Sequence, residues 1–211
     1  MLLDLGTLPA FVLASAVVIL TPGVDTFLLL RTSVRFGTRP GVYALAGIHT
    51  ASLIQVAVVV SGLGALVTSS PEVLSVMKWL GAAYLVYLAV SILRGLWLTR
   101  REAANAPVPE ETARPDANPF LRGLLSNITN PKMLLFSLAF LPQFVGSAAS
   151  PAIQLAMLGG VFLLLAAVWE FAIVFTSSRI ADKLRNPGFR NSLDLVSALA
   201  FIGISVGLVA S

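Results

Sequence analysis

The chain has 211 residues, of which 57% are hydrophobic and only 11% are charged. A domain folded in water carries roughly twice that charge, so lipid must surround most of this surface. With no cysteine and a single histidine, disulfides, thiolate metal sites, cysteine nucleophiles and multi-imidazole metal centres are excluded. The net charge of +4 and pI of about 10.0 would suit nucleic acid in a soluble protein. Here the basic residues sit between apolar runs and report topology instead.

A spanning helix needs about 20 mostly apolar residues. Six stretches qualify, at 8–34, 41–67, 74–96, 120–145, 152–175 and 192–210. Before the first of them the only charge is Asp4, where a cleaved leader would carry Lys or Arg, so this stretch reads as a retained membrane helix. Arg31, Arg35 and Arg39 mark the link between spans one and two. Arg94, Arg100, Arg101, Arg114 and Arg122 surround the link between spans three and four. Arg179, Lys183, Arg185 and Arg190 lie between spans five and six. Twelve of the 14 Lys and Arg residues thus fall on one side of a six-span chain, with Lys78 and Lys132 left over. The positive-inside rule makes that side cytoplasmic, in a bacterial inner membrane, with both termini periplasmic.

Residues 100–118 form the one long hydrophilic stretch, rich in Pro and Glu as a flexible cytoplasmic linker would be. They divide the chain into 1–99 and 119–211, each with three spans. An odd number of spans per half sets the halves in opposite orientations, which is the arithmetic of an inverted repeat. The expected fold is an all-α membrane protein of six transmembrane helices, as a 3+3 inverted repeat.

Two spans carry proline near their middle. The first contains Thr21-Pro22-Gly23-Val24-Asp25 and the fourth Asn127-Ile128-Thr129-Asn130-Pro131-Lys132. Proline lacks an N–H and clashes with the preceding turn, so helices one and four are expected to break there. Thr21 and Asn130 each precede a proline and can cap a new half-helix. The start of a half-helix exposes free N–H groups and partial positive charge, which suits a carboxylate. The plainer reading is two proline kinks, which membrane helices tolerate.

Asp25 lies one turn past Pro22. A charge in an apolar span is costly and marks a functional candidate; Asp25 can take up a proton, hold a substrate ammonium, or merely stabilise the half-helix start. Lys132 can bind a substrate carboxylate or pair with Asp25. Asn127 and Asn130 can satisfy broken backbone or contact a ligand. Glu170 is either a proton-coupling site or an interfacial partner of Arg179. His49 is a proton-coupling candidate or a packed histidine. Trp79, Tyr84 and Tyr87 fit membrane anchoring, and Gly203 with Gly207 fits close helix packing or a homodimer.

The stretches TPGVDTFLLLRTSVRFGTRPGVYALAGIHT, MKWLGAAYLVYLAVSILRG and FLRGLLSNITNPKMLLFSLAFLPQFV resemble the lysine exporter superfamily, and most of all its homoserine/threonine-resistance (RhtB-type) branch. The resemblance covers nearly the whole chain. It implies export of amino acids or related small metabolites, driven by the proton gradient, with the family's motifs falling on Pro22, Gly23, Asp25 and on Asn130, Pro131, Lys132. Many members read PGP before the polar residue, whereas Val24 stands here.

The leading expectation is a secondary transporter exporting small zwitterions by proton antiport, with neither cofactor nor enzymatic chemistry. Asp25, Asn127, Asn130 and Lys132 would bind substrate; Asp25, Glu170 and His49 are the proton-coupling candidates. An inorganic or metal ion exporter is the alternative, disfavoured by the lack of soft or clustered ligands. A membrane scaffold or enzyme is a further one, and no nucleophile with a base stands out.

Overall fold

The structure is a computed structural model and describes residues 3–67, 71–102, 118–130, 132–133, 136–177, 179 and 186–210. The linker residues 103–117, Pro131, Lys183 and Arg185 lie outside that set, as does the side chain of Lys78. Among the described residues every regular element is helical. In chain order these are α1 (Leu8–Leu20), α2 (Val24–Phe36), α3 (Thr38–Val67), α4 (Pro71–Glu102) and α5 (Pro119–Ile128). A wide turn (Phe136–Phe140) and a tight one (Leu141–Phe144) follow, then α6 (Pro151–Phe175) and α7 (Pro187–Ala210).

Local chemistry sets the ends nearest the centre of the molecule. α1 stops at Leu20, two residues before Pro22, and α2 starts at Val24 with a bend of 53° between them. α2 ends at Gly37, whose φ of 92° belongs to the left-handed region that glycine enters freely. α5 begins with Pro119 at its first position, and the Asn118 side chain accepts the Phe120 N–H at 3.0 Å.

Among the described residues two helices are long and apolar enough to cross a membrane, Thr38–Gly62 and Pro151–Phe175, and the bent α1–α2 pair, taken as one span, supplies a third. Two further apolar helical segments, Ala82–Trp97 and Asn191–Val206, are shorter. The outward faces carry large apolar side chains, with Leu53 58%, Leu164 66% and Val196 63% exposed. Exposure of this kind on α3, α6 and α7 suits hydrocarbon, not water. Among the described residues a Cβ on Gly203 would meet nothing within 4 Å, so no close helix approach is seen at that glycine.

α3 and α5 cross with their backbones in contact. A Cβ on Gly47 would overlap the Phe120 carbonyl oxygen, and one on Gly123 would overlap that of Ala44. Small residues permit such an approach, and dispersion between the closely packed backbones holds it. Ser52 meets Asn127 further along, so α3 and α5 run parallel. α6 runs the other way against α3: a Cβ on Gly41 would lie 3.0 Å from Val174, while one on Gly159 would overlap Val56. The α2–α3 turn, the start of α5 and the end of α6 therefore share one end of the molecule, which brings Arg39, Arg122 and Arg179 to that end. At the other end Asp4 and Thr7 meet Ser147 and Gln154. Between them lies an apolar core that includes Phe11, Phe136, Phe140, Phe144 and Phe162.

Candidate functional site

A cavity of about 40 Å³ opens where α1 gives way to α2. Thr21, Gly23, Asp25, His49, Asn130, Lys132 and Glu170 line it, together with Ser52, Phe162 and Ala166. At this size it holds roughly three waters.

Asp25 is the second residue of α2 and is only 8% exposed. Its Oδ1 accepts from Ser126 Oγ at 2.9 Å, and its Oδ2 accepts from the amides of Asn127 and Asn130 at 3.0 Å each. Asn127 lies behind Asp25, not on the cavity wall, and α3 fixes it: Ser52 Oγ donates to its Oδ1 and Gln55 Nε2 to its carbonyl, both at 3.1 Å. The first turn of α2 is thus tied to the end of α5, and the end of α5 to α3.

The Lys132 ammonium donates to the Val18 and Thr21 carbonyls at 2.9 Å each. These carbonyls end α1, where the helix has run out of N–H partners and carries partial negative charge. Two of the three ammonium donors are used. The Lys132 N–H donates to Asn130 Oδ1 at 3.0 Å, and its carbonyl accepts from Tyr84 OH at 3.3 Å. Asn130 therefore caps the turn that carries Lys132 and also holds Asp25.

The expected capping role of Thr21 is corrected. α2 begins after Gly23, and Gly23 has no side-chain cap. The Thr21 hydroxyl donates backwards to the Val17 carbonyl at 2.6 Å and so belongs to the end of α1. Pro22 and Gly23 intervene, leaving the hydroxyl out of reach of the α2 N–H groups. Among the described residues no side chain caps those groups, and they lie beside Lys132: a Cβ on Gly23 would lie 3.7 Å from its Nζ.

His49 Nε2 and Glu170 Oε2 approach to 2.8 Å, with side chains 21% and 16% exposed. Neither atom has a hydrogen-bond partner elsewhere among the described residues. Glu170 thus faces His49, not Arg179. Sequence reasoning missed Ser52, Gln55, Ser126 and Tyr84. A signal existed for two of them: His49, Ser52 and Gln55 recur every third residue, a polar stripe in an apolar helix. Among the described residues no three His, Asp or Glu side chains cluster as metal ligands do.

Apolar helices that face outward around two buried opposite charges define a multi-pass membrane protein. The chain belongs to the LysE type translocator family, which it matches over residues 16–211. It is 26% identical to an uncharacterized membrane protein of Bacillus subtilis over 95% of this chain and 97% of that one. It is 33% identical to an uncharacterized membrane protein of Pseudomonas aeruginosa, covering 83% and 81% of the two chains. It is 30% identical to the leucine efflux protein of Salmonella typhimurium over 66% of this chain and 63% of that one. No solved structure matches.

Proposed function

We propose that this protein exports amino acids across a bacterial inner membrane by alternating access, with protons moving the other way. The observation that carries the reading is the uncapped start of α2 beside the Lys132 ammonium, in a cavity at the helix break. Free N–H groups and a cation converging on one space suit a carboxylate. A zwitterion needs an anion as well, and Asp25 and Glu170 line the same space. Kinship to a leucine efflux protein favours amino acids over inorganic ions.

In this reading the chain is a 3+3 inverted repeat of six spans, residues 1–99 and 119–211, joined by a cytoplasmic linker at 100–118. The breaks at Pro22 and Pro131 correspond, and both termini lie outside. The shared end of Arg39, Arg122 and Arg179 supports that orientation. A cavity for a few waters is an occluded state, which opens towards either side when the half-helices part.

The test is counterflow in proteoliposomes with the twenty amino acids, leucine first, with and without a pH gradient. Accumulation in the wild type that the gradient accelerates is the expected result, with little or none in Asp25→Asn and Lys132→Ala. If both variants transport like the wild type, the site is wrong. Flux of metal salts in place of amino acids would favour the ion exporter.

A further inference from the structure

An α-amino acid presents an ammonium as well as a carboxylate, and the two buried anions of the cavity differ in how far they are occupied. Asp25 accepts three hydrogen bonds from Ser126, Asn127 and Asn130, out of about four sites that a carboxylate offers. Its work is to join α2 to α5. Glu170 has His49 at 2.8 Å, and its Oε2 has no hydrogen-bond donor elsewhere among the described residues. It closes a face of α6 on which Phe162, Ala166 and Glu170 follow one another at intervals of four residues and line the cavity. The charged groups around it are His49 from α3, Asp25 from α2 and Lys132 after α5, while the α1 wall brings only Val18, Ile19 and Thr21.

Resting on the exporter reading above, we propose that the His49–Glu170 pair is the ammonium subsite for an aliphatic α-amino acid, and that the substrate ammonium and a proton occupy it in turn. Empty of substrate, the pair holds a proton between imidazole and carboxylate. When an amino acid enters, its carboxylate takes the third donor of Lys132 and the open N–H groups of α2. Its ammonium takes Glu170, and its side chain lies against Phe162 and Ala166. One proton then leaves the pair for water. At Glu170 one positive charge replaces another; the substrate carboxylate adds a negative charge beside Lys132, so the net charge of the cavity falls by one. Two cations on one carboxylate in a poorly solvated space would be costly, and that cost makes the occupants exclusive. Export of one amino acid in exchange for one proton follows from the same exclusion.

The experiment measures binding of leucine and of 4-methylpentanoate, which has the same carboxylate and side chain without the amine, to purified full-length protein between about pH 5 and pH 8. In the wild type, leucine binding weakens as pH falls, and a pH-indicator dye reports a proton released per leucine bound. Glu170→Gln should weaken leucine roughly 30-fold, abolish its pH dependence and leave 4-methylpentanoate unchanged. Lys132→Ala should weaken both. Glu170→Asp, which withdraws the carboxylate by one methylene, should weaken leucine alone and retain the pH dependence; it serves if Glu170→Gln does not fold. Wild-type leucine affinity in either Glu170 variant overturns the ammonium subsite while leaving the exporter intact. Unchanged binding of both compounds in Lys132→Ala overturns the carboxylate site instead. A wild type that binds no leucine overturns both.

Discussion

The Asn130 side-chain nitrogen lies 3.0 Å from Asp25 Oδ2, which ties the break after α5 to the first turn of α2. Lys132 makes the reciprocal link, from the same segment to the carbonyls that end α1. Each unmet end of the first broken helix is thus satisfied, or faced, by a residue from the second half of the chain.

Asn127 is the hinge pin of this arrangement, donating to Asp25 and accepting from Ser52 and Gln55. Asn127→Ala strips a buried carboxylate of one donor and leaves the Ser52 hydroxyl without its acceptor, while Gln55 keeps the backbone carbonyl to which it donates. The expected loss is about 2–4 kcal/mol, or a melting temperature lower by roughly 5–10 °C in detergent. Thr129→Ala, at an exposed position nearby, should shift the melt by about 1–2 °C at most. Equal melts for the two variants would contradict the assignment.

Lys132→Met keeps most of the length of the side chain and removes its charge. The Val18 and Thr21 carbonyls then lose their donor, at a cost of roughly 2–3 kcal/mol. Lys132→Arg retains the charge but places a wider group in the cavity, so stability should be kept better than transport. Melting curves and leucine counterflow on the same preparations separate the two effects.

The α3–α5 crossing has no room for a methyl group. Gly47→Ala and Gly123→Ala each force backbones apart and should cost about 1–3 kcal/mol or more. Gly160→Ala is the control: a Cβ there meets nothing within 4 Å, and Ala is the better helix former by about 1 kcal/mol. The two crossing variants should melt earlier than the wild type, and the control no earlier.

Asp4 lies outside the spans. The Ser147 backbone N–H, then its hydroxyl, hold the Asp4 carboxyl below the ordinary value of 3.8. A folded value below the unfolded one stabilises fully above the unfolded value, and that contribution is lost as pH falls through the folded one. The melting difference between wild type and Asp4→Asn should therefore stay constant from about pH 7 to pH 5, then shrink below about pH 4. A difference that grows on acidification would refute the assignment.

Much of the site was legible because its chemistry lies within short stretches. Asp25 beside Pro22, and Asn130 with Lys132 beside Pro131, stand out as polar residues in apolar runs. What they touch was not legible. Lys132 meets the end of α1 and not a neighbour in sequence, because the glycine crossing of α3 and α5 sets the depth at which the halves meet. Thr21 was misread because proline at a first helical position suggests a cap directly before it, whereas α2 starts two residues later than that pattern requires. The pairing of His49 with Glu170 depends on the antiparallel register of α3 and α6, which no local pattern encodes. Hydropathy marks six apolar runs; among the described residues three meet the length and apolarity needed to cross, the bent pair counted as one.

The phenylalanines between the cavity and the Asp4 end have a bearing on energy conservation. Phe136 stacks on Phe140 with centroids 4.7 Å apart and on Phe162 at 4.2 Å, while Phe11 and Phe140 both meet Phe144. A proton moves by hopping between donors and acceptors about 3 Å apart, and these five rings offer none. In the exporter proposed above such a layer would act as an electrical insulator, blocking the short circuit that a water-filled path would open across the membrane. Under that reading an ion gradient driving the cycle would be drawn down only when the rings separate.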